Sequence, residues 1–132
     1  MNWKPLGWSL LAGTLALGAC DGGTALGPEN QLEVTNQADT FAAQATALDR
    51  VSQTLTYAWS MSGPVADVNQ SGVVTGGAGT LTILDDDGTE VYSRALAQTG
   101  TFQTGAGTPG AWTVRIILNG LSGALNVRVQ KP

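Results

Sequence analysis

Histidine is absent from the 132 residues, and cysteine occurs once. Without an imidazole the chain has no Ser-His-Asp or Cys-His relay, no histidine-ligated zinc and no ring titrating near neutrality. A single cysteine forms no internal disulfide and no multi-cysteine metal site. Charge is scarce as well: 12% of residues are charged, and six Lys+Arg stand against ten Asp+Glu, a net charge of −4. An acidic chain with scattered arginines lacks the basic stripe that nucleic acid requires, so no nucleic-acid partner is expected. The length allows one domain at most.

What is present starts with an N-terminal pattern. Lys4 and the amino terminus make a short positive region, and residues 6–19, LGWSLLAGTLALGA, carry no charge over 14 positions. A membrane-spanning helix needs about 20. A run this short behind a positive flank reads as the apolar core of a secretory signal. It ends in Leu17-Gly18-Ala19-Cys20. That tetrad resembles the lipobox of bacterial lipoproteins, in which a Leu and two small residues precede the cysteine that becomes the new N-terminus.

The resemblance implies cleavage between Ala19 and Cys20, a diacylglycerol thioether on Cys20, and a further acyl chain on its amine. The thiol is the side chain nucleophilic enough to take the lipid. Each buried methylene contributes about 0.8 kcal/mol, and two or more chains hold stably. Membrane lipid is thus the expected partner through Cys20, and a cell membrane, on its periplasmic or outer face, is the expected location. Asp21 resembles the inner-membrane retention signal of enteric-type lipoproteins; inner against outer membrane stays open. Loss of residues 1–19 removes Lys4 and no acid, leaving five basic and ten acidic residues. Residues 21–30, DGGTALGPEN, are Gly- and Pro-containing, so residues 20–30 are expected to form a flexible tether.

Residues 31–132 read as one all-β domain, an antiparallel β-sandwich of jelly-roll type with seven to eight short strands. The period is two in most segments. Leu55, Tyr57, Trp59 and Met61 share one face, with Thr54, Thr56, Ala58 and Ser60 on the other. Trp112, Val114, Ile116 and Leu118 repeat the pattern, as do Leu125, Val127 and Val129 against Asn126, Arg128 and Gln130. Strands are expected near 31–35, 39–48, 53–61, 65–70, 79–84, 89–95, 111–118 and 124–130, with glycines as punctuation between them. Trp59 and Trp112 are expected to meet in the core.

Asp85-Asp86-Asp87-Gly88 reads as a type I hairpin turn with Gly88 left-handed. Pairing 85 with 89, 83 with 91 and 81 with 93 puts Leu81, Ile83, Val91 and Ala95 inward. Tyr92 and Arg94 then face outward, an aromatic-cation pair suited to an interaction surface. From Leu81-Thr82-Ile83 through Asp87-Gly88 and Gly107-Thr108-Pro109-Gly110 to Trp112-Thr113-Val114, the order of elements is similar to small secreted β-sandwiches of the pre-peptidase C-terminal kind. That resemblance implies an appended binding or targeting unit.

Three carboxylates at one tip make Asp85, Asp86 and Asp87 candidate calcium ligands. An EF-hand is excluded, because Ile83 stands where its first Asp belongs and Arg94 where its last Glu does. The competing reading is turn chemistry with solvated acids. Gly105-Ala106-Gly107-Thr108-Pro109-Gly110 matches G-x-G-x-x-G by letters, but a strand follows it instead of a helix, so it reads as a flexible hairpin loop. No cofactor beyond the lipid on Cys20 is expected. The sequence thus points to a lipid-anchored, non-catalytic envelope module with a protein partner, with a calcium- or glycan-binding surface module as the alternative. A hydrolase working with carboxylates alone would need two acids facing each other across a cleft.

Overall fold

A computed structural model describes residues 25–132. Ala19, Cys20 and Asp21, which carry the anchoring expectation, lie outside the described residues. The domain is all-β and antiparallel, as the alternation predicts. Its strands are β1 (Glu33–Gln37), β2 (Thr40–Met61), β3 (Asp67–Gln70), β4 (Val73–Leu84), β5 (Glu90–Ala95), β6 (Gly100–Gln103) and β7 (Gly110–Gln130). No helix among the described residues is long and apolar enough to cross a membrane.

Two pairs of expected strands are single elements. β2 runs through 39–48 and 53–61, and β7 runs through 111–118 and 124–130. Both long strands turn a corner rather than stop. The β2–β7 register shifts between Ala45 and Leu48, between Leu48 and Val51, and between Val51 and Gln53. Ala47 and Arg50 take positive φ there, as do Gly120 and Gly123 on β7. Glycine at 123 is needed twice over: φ is 131°, and a Cβ would sit 1.9 Å from the Val73 carbonyl oxygen. Such irregularities bend a strand so that it passes from one layer of a sandwich to the other.

Across the corner the sheet faces itself. The first layer contains β1, residues 40–45 of β2, residues 125–130 of β7, then β3 and β6. The second contains residues 53–61 of β2, residues 110–118 of β7, β4 and β5. Phe41, Val68, Val127 and Val129 of the first layer are buried, as are Leu81, Ile83, Val114 and Ile116 of the second. Trp59 pairs with Trp112 across β2 and β7, edge to face with centroids 6.0 Å apart. Both indole N–H groups donate to carbonyls, Trp59 to Gln37 at 2.9 Å and Trp112 to Thr108 at 2.7 Å, so burying the rings leaves no donor orphaned.

The boundary of the domain lies earlier than residue 31. Pro28–Asn30 form a single 3₁₀ turn. Asn30 is buried and donates its side-chain N–H to the carbonyls of Thr46 and Ala47, both at 3.0 Å. The Leu26 amide donates to Gln53 Oε1 at 2.9 Å. Residues 26–30 therefore plug the corner of β2 and are not tether.

The hairpin turn forms where expected, with the Asp85 amide donating to the Thr89 carbonyl at 2.9 Å. Beyond it the register differs. Leu84 pairs with Glu90 but Ile83 pairs with Tyr92, so Val91 is an extra residue in a bulge. A one-residue slip sends every later side chain to the other face. Tyr92 points inward, 7% exposed, and Ala95 points out.

Candidate functional site

The slip removes the expected interaction surface. Tyr92 crosses the core and donates its hydroxyl to Gln70 Oε1 at 2.6 Å. Gln70, itself buried, donates to the carbonyls of Ala95 and Gln98 at 2.9 and 2.7 Å. Burial pushes the Tyr92 phenol above its usual pKa. Arg94 is half-buried at the edge of the sandwich; its guanidinium stacks 3.8 Å from the Phe102 ring and donates to Gln98 Oε1. Both residues join the two layers instead of presenting themselves to solvent.

The three aspartates do not converge. Asp85 is buried rather than solvated; its Oδ1 accepts from the amides of Asp87 and Thr89, and its Oδ2 accepts from the Thr108 amide at 2.9 Å. These bonds, the one from Thr108 foremost, hold its carboxyl below the usual carboxylate range. Asp86 accepts from the Ala111 amide and Asp87 from the Thr108 hydroxyl. The cluster is thus a clamp on the 105–110 loop, which is tied down rather than free. Among the described residues no group of three or more metal-ligating side chains comes together.

The first layer carries a different feature on its outer face. Since Leu125, Val127 and Val129 face the core, Asn126, Arg128 and Gln130 must face out. Registers on both sides extend this line into rows. Thr35, Ala42, Arg128, Asn69 and Thr101 form one row across five strands. Gln37, Thr40, Gln130, Asp67 and Gln103 form the next. Glu33, Gln44 and Asn126 form a third.

Between these side chains the face is hollowed. A depression of about 420 Å³ lies over β3 and β7, walled by Asp67, Asn69, Thr101 and Arg128. A second, of about 200 Å³, lies toward β1, walled by Glu33, Thr35 and Gln44, and floored by Ala42. Both are bounded by Asn126 and Arg128, so together they make one trough with Arg128 between its halves. Five strands at about 4.8 Å spacing make it roughly 19 Å long.

The flanks of the trough are paired internally. Gln44 donates to Glu33 at 2.8 Å, Asn69 to Thr101 at 3.1 Å and Gln103 to Asp67 at 3.2 Å. Arg128, exposed at the centre, makes no hydrogen bond or ion pair among the described residues. Glu33 and Asp67 are three strands apart and offset by four residues along them, roughly 14 Å in each direction, which exceeds the separation at which two carboxylates share one glycosidic bond. The trough offers hydrogen-bonding side chains, two separated carboxylates and one guanidinium to whatever occupies it. The alternation of residues 125–130 was the sequence signal for its central strand; the contributions of β1, β3 and β6 depend on pairing and had none.

No protein-family model matches the chain, and no curated protein matches it either. Solved structures similar to it include a carbohydrate-binding module (CBM6cm-2) of Cellvibrio mixtus lichenase 5A in complex with cellotriose, at 19% identity and a TM-score of 0.44 over 79% of this chain and 88% of that one. Another is accessory secretory protein 1, 2 and 3 of Streptococcus pneumoniae, at 11% identity and 0.39 over 76% and 85%. A third is a CBM4 structure, at 12% identity and 0.36 over 77% and 76%. Likenesses of this size assign no ligand.

Proposed function

We propose that the chain is a lipid-anchored, non-catalytic module of the bacterial cell envelope, accessory to a membrane-bound assembly and held to the bilayer through Cys20. The observation that supports the binding role is the trough: a shaped polar face with one unengaged charge. The anchoring rests on the lipobox-like Leu17-Gly18-Ala19-Cys20. With Leu26 fastened to Gln53, five residues lie between the lipidated cysteine and the domain, a reach of roughly 20 Å. The corner of the sandwich then sits close to the membrane, and the trough opens along the flank.

The test is the intact mass of the mature protein from its native membranes, with palmitate labelling alongside. A chain beginning at Cys20 with two or three acyl groups, and loss of label in Cys20→Ser, is the expected result. A mature chain with an unmodified thiol overturns the anchoring.

A further inference from the structure

We infer that the trough is a binding site for a hydroxylated polymer bearing isolated carboxylates, such as a glycan with uronic-acid units, and that Arg128 holds the carboxylate. This deepens the binding role proposed above and rests on it. Three features select that chemistry. The guanidinium is the one charge on the face without a partner among the described residues, and its planar fork matches a carboxylate in two parallel hydrogen bonds. On either side stand amides and hydroxyls, Gln44 and Thr35 toward β1, Asn69 and Thr101 toward β6. Such groups donate and accept alike, as a polyol demands.

The acids complete the selection. Asp67 stands on β3, the strand beside Arg128, and Glu33 on β1, two strands away on the other side. They repel a second and third negative charge on the ligand, so a densely sulfated or phosphorylated polymer is disfavoured. No aromatic side chain lines either half, so a ligand gains nothing from stacking and a neutral glycan lacks the charge-assisted contact. The opposite face offers an internal control. Arg115 on the second layer stands among Thr56, Thr82 and Thr113, outside both halves of the trough.

Affinity electrophoresis of the purified mature chain in gels containing hyaluronan, carboxyl-reduced hyaluronan or dextran sulfate reads the site directly. Retardation by hyaluronan is expected, lowered at least tenfold in apparent affinity by carboxyl reduction or by Arg128→Ala and unchanged by Arg115→Ala. Circular dichroism of both variants is expected to match the parent. Three results each overturn the inference: no retardation by hyaluronan, equal retardation by the carboxyl-reduced polymer, or stronger retardation by dextran sulfate. Acylation of Cys20 is read independently by mass, so failure here leaves the anchoring standing, and the reverse.

Discussion

The outer faces of the two layers follow the same alternation yet carry different chemistry. On the second layer, residues 53–61 of β2, the first half of β7, and β4 turn out Thr54, Thr56, Thr113, Thr80 and Thr82, with Ser93 of β5 beside Thr82 at 3.3 Å between hydroxyls. β-Branched residues fit a pleated surface and stabilise it by cross-strand contact. That face serves the sheet. On the first layer Thr35, Thr40 and Thr101 share the outer face with Glu33, Gln44, Asn126, Arg128, Asn69 and Asp67, whose acids and asparagines strands disfavour. On the proposed reading, the polar side chains gathered around the hollow are the surface that meets a ligand. Both layers share one core, so the contrast isolates surface chemistry from stability.

The corner that joins the layers is where the comparison breaks most easily. Gly123→Ala places a methyl group against the Val73 carbonyl at a φ of 131°. The expected loss is about 4 kcal/mol in urea unfolding, with both layers melting together. A loss under about 1 kcal/mol would mean the two layers are not held by that corner.

Next in size is the bond that crosses the core. Tyr92→Phe leaves the buried Gln70 Oε1 without its donor, and the expected cost is about 1–2 kcal/mol. An unchanged urea midpoint would return Tyr92 to the outward position that the simple hairpin register predicts.

Acid stability compares one carboxylate from each layer. Asp85 clamps the 105–110 loop beside the second layer, and Asp39, in the β1–β2 turn, accepts from the Ser62 amide at 2.7 Å and the Ser62 hydroxyl at 2.8 Å. Hydrogen bonds depress the pKa of both, from the Thr108 amide first for Asp85 and from the Ser62 amide first for Asp39. The unfolded chain therefore binds protons more readily than the folded one. The contribution of each is present above the unfolded value of about 4 and is lost as pH falls through the lower folded values. Thermal melts from pH 6 to pH 2 are expected to show a falling midpoint below about pH 4, with a smaller fall in Asp85→Asn and in Asp39→Asn. Equal slopes in variants and parent would contradict the clamp.

The smallest stability effects belong to the two arginines at the centres of the faces. Arg128→Ala and Arg115→Ala are each expected to stay within about 0.5 kcal/mol of the parent in urea. Only the first is expected to change binding.

Much of this architecture was legible in residue order. Alternation at 54–61, 111–118 (broken at Ile117) and 125–130 named inward residues of both long strands, and the Trp59–Trp112 contact followed from their size. Gly120 and Gly123 misled as breaks because a glycine at a bulge and a glycine at a turn look alike in one dimension. The bulge at Val91 has no sequence mark, yet it decides whether Tyr92 is surface or core. Residues 26–30 look like linker by composition, while Asn30 finds the carbonyls that the bend in β2 exposes. The trough needed the register of five strands, of which residue order suggested the central one.

Amide chemical-shift mapping of the mature chain, titrated with a hyaluronan oligosaccharide, tests the division of labour between the faces most directly. Shifts concentrated at residues 126–130, 67–71, 42–44 and 101–103 are predicted. Shifts centred on 54–60 and 113–117, or none anywhere, would contradict it.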